Sequence, residues 1–118
     1  MKPAVAAAAA LAVVGAYSAV VYAQSADRQI KYRQGIMGAQ AWHMGVLAAM
    51  AKGERPYDKD AAVRSATFVN QLVAMPWEGY GPGSDTGAPT RAKPEIWKEK
   101  AKFDQYAKDL QVETAKLV

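Results

Sequence analysis

The sequence predicts an all-α protein: three helices of an antiparallel four-helix bundle whose fourth helix is missing. Three observations lead to this fold class. Beyond the first 23 residues, apolar residues recur every three or four positions in three segments, which is the period of amphipathic helices. Breaks rich in glycine or proline separate the segments. The third segment still carries an apolar face when the sequence ends at Val118, and a fourth antiparallel helix would cover that face.

We expect the first 23 residues to be a secretory signal peptide and residues 24–118 to be one exported domain. Lys2 gives a short positive start, and residues 4–14 form an apolar run of the length found in signals. A Val-x-Ala pattern ends at Ala23, where cleavage is expected. A membrane anchor is the alternative, but residues 15–18 interrupt a run that needs about 20 apolar residues to span a bilayer. The domain is therefore predicted to be periplasmic and free of the membrane after cleavage.

The composition excludes several kinds of site. The chain has no cysteine, which excludes disulfides, thiolate metal sites and cysteine nucleophiles. It has one histidine, His43, so one chain cannot form a multi-histidine metal site. Without the signal the net charge is +3, and charges of both signs alternate along the helices, so no nucleic acid partner is expected. No group stands out as a general acid or base, and we expect no enzyme.

The first helix is predicted over residues 25–52, with Ser25 as its N-cap and Gly53 at its end. Its inward stripe is Ile30, Gln34, Met37, Ala41, Met44 and Ala48. The helix also contains three glycines, Gly35, Gly38 and Gly45, each of which costs up to about 1 kcal/mol relative to alanine. Either the helix tolerates this weakness, or the glycines allow close approach by another helix or a flat ligand.

The second helix is predicted over residues 58–75, with Asp58 as N-cap and Pro76 as its stop. A long irregular segment, residues 75–89, follows it. A segment of this length in a small domain is usually functional or disordered. Its aromatic residues argue against a bare linker, and we expect the segment to lean on the bundle.

The third helix is predicted over residues 94–117. Pro94 suits its first turn, and Glu95 suits the positive end of the helix dipole. Its stripe is Ile96, Phe103, Ala107, Leu110, Thr114 and Leu117. Because alanine dominates the apolar residues, the core depends on a few large side chains, among them Met37, Met44, Phe68, Leu72, Phe103 and Leu110.

Four stretches together resemble the cytochrome c′ family. They are Lys-Tyr-Arg-Gln-Gly-Ile-Met at 31–37, Met-Ala-Lys-Gly-Glu-Arg-Pro-Tyr-Asp at 50–58, Met-Pro-Trp at 75–77 with Gly-Pro-Gly-Ser-Asp at 81–85, and Thr-Arg-Ala-Lys-Pro-Glu-Ile-Trp at 90–97. Their order and spacing match the family over nearly all of residues 24–118. The resemblance implies a periplasmic four-helix bundle, commonly a homodimer, that carries one haem c. We expect the dimer to form through the first and second helices.

In the family, a Cys-x-x-Cys-His motif on the fourth helix attaches the haem and supplies its axial histidine. This chain has neither the cysteines nor that histidine, so covalent attachment is not possible in the sequence as written. Arg33 and Gln34 match the pair that meets the haem edge and its propionates, for which paired charge-assisted hydrogen bonds suit a guanidinium. Met37 matches the apolar residue over the open haem face, and Thr90 matches a loop position at the haem periphery.

Two further residues, Trp77 and Tyr80, either wall the haem pocket or anchor the long segment. A non-covalent haem would need an axial pair such as Met37 and His43. These two residues are six apart and therefore about 240° apart around a helix, so we expect His43 to point elsewhere.

The resemblance implies electron transfer or the binding of small gases, nitric oxide and carbon monoxide, at an open haem face. The alternatives are a haem-free helical interaction module and a non-functional truncated paralogue. The presence or absence of a Soret band discriminates a haem protein from both alternatives.

Overall fold

The computed structural model describes the backbone of residues 4–118 and the side chains of residues 25–118. Its elements are α1 (Ala4–Ala51), α2 (Lys59–Leu72), a 3-10 helix (Pro76–Tyr80), α3 (Glu95–Lys98) and α4 (Lys100–Ala115). Over these residues the protein is helical without strands, which confirms the all-α class. No helix in the described part of the chain combines the length and the apolar character needed to cross a bilayer. Lys2, in the predicted signal, lies outside the described residues.

Helix α1 runs through Ser25, so the prediction that Ser25 caps its start is wrong. Alanine, the best helix former, dominates the sequence before Ser25, and one serine does not stop a helix. The predicted end at Gly53 is close to the observed one. Gly53 adopts a positive φ of 74°, and the Glu54 amide donates to the Ala49 carbonyl at 2.9 Å, which closes the helix as a left-handed glycine does.

Helix α2 begins as predicted, with the Asp58 carboxylate accepting a hydrogen bond from the Ala61 amide at 3.0 Å. It ends at Leu72, three residues before the predicted end at residue 75, and Pro76 has no N–H to offer the Leu72 carbonyl. Side chains satisfy its last carbonyl groups instead. Gln40 of α1 donates to the Leu72 carbonyl at 3.2 Å, and the Trp77 indole donates to the Val73 carbonyl at 2.6 Å.

Removing the Asp58 cap should lower the free energy of unfolding by about 1 kcal/mol, because the Ala61 amide loses its acceptor. The variant Asp58→Ala tests this in urea unfolding followed by circular dichroism. Asp58→Asn is the matched control, since asparagine also caps helices and should leave the stability nearly unchanged. Equal losses in both variants would contradict a capping role.

The predicted third helix is broken into α3 and α4 at Glu99, where φ is −116° and ψ is 49°. The break has a packing reason. Trp97 and Phe103 are six residues apart and would point about 240° apart on one straight helix. Both nevertheless reach the Tyr80 ring, with centroid distances of 6.1 Å and 4.8 Å.

The buried core is made mostly of small side chains. Its members include Ala26, Ile30, Ala61, Ala66, Val69, Val73 and Ala107. Three of the large residues expected to supply the core are substantially exposed: Met44 at 44%, Phe68 at 40% and Leu110 at 40%. The bundle formed by α1, α2 and α4 therefore leaves part of its apolar surface uncovered.

The helical glycines of α1 do not touch another element. A side-chain carbon added at Gly35, Gly38 or Gly45 would meet nothing within 4 Å. Of the two explanations for these glycines, close approach does not occur within the described part of this chain.

Candidate functional site

A groove of about 290 Å³ lies where α1 meets the segment that follows α2. We call residues 73–94 the crossover loop, and this cavity the Arg33 groove. Its lining residues are Arg33, Gln34, Met37, Tyr80, Thr90, Arg91, Ala92 and Ile96. Five of the six predicted site residues therefore share one groove. The sixth, Trp77, does not line it and packs beside Tyr80 and Phe103.

Helix α1 supplies one wall of the Arg33 groove. Arg33 and Met37 are four residues apart and so lie on the same face of the helix. Gln34, on the adjoining face, donates its amide hydrogen to the Pro89 carbonyl at 3.0 Å. On this wall, Met37 therefore gives the groove an apolar surface, and Gln34 places a hydrogen-bond donor at its rim.

The Arg33 guanidinium is buried, with 2% of the residue exposed. It donates to the Gly79 carbonyl at 2.7 Å, to the Ser84 hydroxyl at 3.1 Å and to the Thr90 hydroxyl at 3.1 Å. It also lies over the Tyr80 ring at 4.6 Å, a favourable cation–π arrangement. Burial lowers the pKa of Arg33, partly offset by Tyr80 and Asp85, and an arginine so placed stays charged.

The crossover loop is held to α1 by further polar contacts. The Gly81 amide donates to the Gln29 side-chain oxygen at 2.8 Å, and the fully buried Ser84 hydroxyl donates to the Gly81 carbonyl at 2.7 Å. Gly79 lies so close to α1 that an added Cβ would stand 2.8 Å from the Arg33 Cβ. The loop is thus a packed part of the fold.

An aromatic cluster of Trp77, Tyr80, Trp97 and Phe103 fills the space behind the Arg33 groove. The Trp97 indole donates to the Gly81 carbonyl at 3.0 Å, which ties α3 to the crossover loop. Tyr80 belongs to both the cluster and the groove, so it walls the pocket and anchors the loop together. Trp77 is half-buried in the cluster and acts as an anchor.

Sequence reasoning missed the roles of four residues at this site. Gln29, Gly79 and Ser84 hold the loop, and Trp97 completes the aromatic cluster. Ser84 and Trp97 lie inside the stretches that carry the family resemblance, so a signal for them was present. Gly79, one residue before Tyr80, differs in no visible way from the other glycines of the loop.

Raising the pH should destabilise the fold through Tyr80. Burial raises the pKa of Tyr80, and the Arg33 charge lowers it in part. Because the folded state favours the neutral phenol, this contribution to stability is present below the unfolded-state pKa of about 10 and is lost as the pH rises through the folded-state pKa. The urea midpoint of unfolding is measured at about pH 8 and again above about pH 10. The decrease between the two pH values should be larger in the parent chain than in Tyr80→Phe. Equal pH dependence in the two proteins would contradict this.

The Arg33 groove fits the periphery of a flat, apolar ring with carboxylate substituents but does not fit its covalent attachment. Met37 and Ile96 offer apolar contact, and Gln34 and Arg91 offer donors at the rim. The chain has no cysteine to form a thioether. His43 does not line the groove. Its ring packs on Phe68 of α2 at 4.9 Å, away from Met37 as predicted.

The chain is similar to several known proteins. The family model described as Cytochrome C' matches residues 28–118. Cytochrome c' of Rubrivivax gelatinosus is 40% identical over 74 residues, which make up 63% of this chain and 57% of that protein. Cytochrome c' of Alcaligenes xylosoxydans xylosoxydans is 35% identical over 88 residues, or 75% of this chain and 67% of that one. The chain thus spans little more than half of the first relative's length.

The solved structures that resemble this chain have the same name as these relatives. The crystal structure of the Rubrivivax gelatinosus cytochrome c' matches with a TM-score of 0.73 at 37% identity, covering 75% of this chain and 70% of that one. Cytochrome c prime from Shewanella frigidimarina matches with a TM-score of 0.74 at 36% identity, covering 76% and 70%. A nitrosyl complex of a cytochrome c prime variant from Alcaligenes xylosoxidans matches with a TM-score of 0.70 at 33% identity, covering 78% and 71%.

Proposed function

This chain belongs to the cytochrome c′ family, and on that premise we propose that it is an exported, periplasmic haem protein that transfers electrons or binds small gases. The match over residues 28–118 confirms the resemblance seen in the four sequence stretches. The cofactor that the family implies is haem c. When bound, it would supply a one-electron redox couple and an iron that takes up nitric oxide or carbon monoxide.

One observation carries this proposal: five of the predicted site residues line one groove. Met37 would give apolar contact to a bound haem ring, because its side chain lines the groove. Gln34, Thr90 and Arg91 lie at the rim, where haem carboxylates would accept hydrogen bonds. These roles require binding and positioning only, and we propose no enzymatic activity.

Haemin titration tests the proposal. The chain from Gln24 should shift and sharpen the Soret band of added haemin through contacts at the ring periphery, without an axial pair from Met37 and His43. Met37→Ala should weaken binding because the groove loses its apolar wall. Met50→Ala is the matched control, since Met50 also lies on α1 but does not line the groove. Acid–acetone extraction should remove all of the pigment, because no cysteine can hold it. A Soret band that stays identical to that of free haemin at every protein concentration would refute the proposal.

A second candidate function is a haem-free helical interaction module. It is favoured by an apolar groove of about 310 Å³ between α1, α2 and α4, whose lining includes Met44, Leu110 and Leu117. All three residues are exposed. Failure to bind haemin, together with a cooperative monomeric fold, would support this alternative.

We propose that two copies associate through α1 and α2. The outward face of α1 carries Trp42, which is 74% exposed, between the open positions at Gly38 and Gly45. A large exposed aromatic side chain beside small residues suits helix–helix contact. Sedimentation velocity tests this association by comparing Trp42→Ser with the parent chain, and the variant should contain less dimer. An unchanged mass distribution in the variant would exclude Trp42 from the interface.

Export with cleavage after Ala23 is expected, since the apolar run and the Val-x-Ala pattern precede that residue. Mass spectrometry of periplasmic material should give an N-terminus at Gln24. Full-length protein recovered only from the cytoplasm would contradict export.

A further inference from the structure

We propose that Arg33 is a positioning residue whose guanidinium locks the crossover loop onto α1, so that its two Nη groups are not free to form an end-on fork with a haem propionate. The inference rests on the proposed function, because it concerns the walls of the Arg33 groove. It departs from the role that the family resemblance implied for this residue.

The first argument is the hydrogen-bonding capacity of the guanidinium. Nη1 carries two N–H groups, and these are directed to the Gly79 carbonyl at 2.7 Å and the Ser84 hydroxyl at 3.1 Å. Nη2 donates to the Thr90 hydroxyl at 3.1 Å. The end-on fork that arginine offers a carboxylate needs one N–H from each Nη. Since both Nη1 hydrogens serve the loop, a propionate cannot form that fork without displacing it.

The second argument is burial. Arg33 is 2% exposed, and its guanidinium lies 4.6 Å from the Tyr80 ring centroid and 5.4 Å from that of Trp97. A buried charge is tolerated only where hydrogen bonds replace water. Turning the guanidinium towards a ligand would leave the buried Gly79 carbonyl with only the long 3.5 Å contact from the Ser84 hydroxyl, and the loop would lose its attachment to α1 at that point.

The third argument concerns the residues that Arg33 holds in place. Tyr80 follows Gly79 directly, and Thr90 is itself an acceptor of Arg33. Both Tyr80 and Thr90 line the groove. Arg33 therefore sets the positions of two groove walls through the backbone and side chains of the loop. The exposed Arg91 lies at the same groove and supplies the guanidinium for a ligand carboxylate.

Two ligands and two variants separate positioning from direct contact. Arg33→Lys removes the fork, and Ser84→Ala removes a partner of Arg33 that does not line the groove. Haemin carries two charged propionates, and haemin dimethyl ester carries neutral methyl esters in their place. Positioning predicts that each variant weakens both ligands by the same factor, on the order of tenfold. Direct contact predicts that Ser84→Ala is silent and that the Arg33→Lys effect vanishes with the ester. That pattern would overturn the proposal.

Hydrogen exchange on the haem-free chain gives a readout independent of haem. Amides of residues 76–90 should exchange faster in both variants, while those of α2 remain protected. Thr67→Ala is the control, since it removes a hydroxyl from the exposed face of α2, away from the loop. Unchanged protection of residues 76–90 would refute the proposal that Arg33 holds the crossover loop on α1. If the parent chain binds neither ligand, the proposed function fails, and hydrogen exchange alone decides the role of Arg33.

Discussion

Replacing Gly79 with alanine should loosen the crossover loop and lower the free energy of unfolding by about 2 to 3 kcal/mol. The added methyl group would stand 2.8 Å from the Arg33 Cβ and 2.9 Å from the Gln29 carbonyl oxygen. One neighbour is a backbone atom of α1 and the other is bonded directly to its backbone, so the loop must retreat. Retreat lengthens the bond from Arg33 to the Gly79 carbonyl and moves Tyr80 out of the groove. Haemin affinity should fall together with stability.

Gly35→Ala is the matched control for this variant. It adds the same methyl group to α1, where nothing lies within 4 Å. Alanine is the better helix former, so this change should raise the free energy of unfolding by up to about 1 kcal/mol. Urea unfolding followed by circular dichroism measures both values. A Gly79→Ala variant as stable as the parent chain would show that the loop does not need close contact with α1.

The sequence predicted helices most accurately where a single residue ends or begins them. Asp58 offers an acceptor to a free amide, and Gly53 permits a positive φ, and both effects are local. The start of α1 and the break at Glu99 were not predicted. The break follows from Trp97 and Phe103 meeting the same ring, Tyr80. Such a contact between distant segments leaves no periodic pattern in the sequence.

The sequence predicted which residues form the candidate site better than it predicted what each of them does. The family resemblance selected Arg33, Gln34, Met37, Tyr80 and Thr90, and the structure brings these five together. The partners of Arg33 are 46 to 57 residues away along the chain. An arginine that binds a ligand and one that holds a loop have the same helical spacing, so only the three-dimensional contacts distinguish them.

The chain from Gln24 should associate when it carries no haem. Leu110 and Leu117 of the α4 end and Met44 of α1 border an open apolar groove of about 310 Å³, and they are 40%, 46% and 44% exposed. Covering about 200 Å² of such surface contributes about 5 kcal/mol. This contribution is offset by the translational and rotational cost of association, so the extent of self-association should depend on the protein concentration.

The joint variant Leu110→Asn and Leu117→Asn tests whether this groove drives the association. Sedimentation velocity and calorimetry should show a parent chain whose mass and unfolding midpoint rise with concentration, and a variant in which both dependences weaken. Val112→Asn is the matched control, because Val112 is 60% exposed on α4 but does not line the groove, so this variant should associate like the parent. A parent chain that is monomeric and unfolds cooperatively without haem would contradict this prediction and favour the haem-free module. In that case the apolar groove between α1, α2 and α4 is tolerated in water and stays open to a partner other than a second copy.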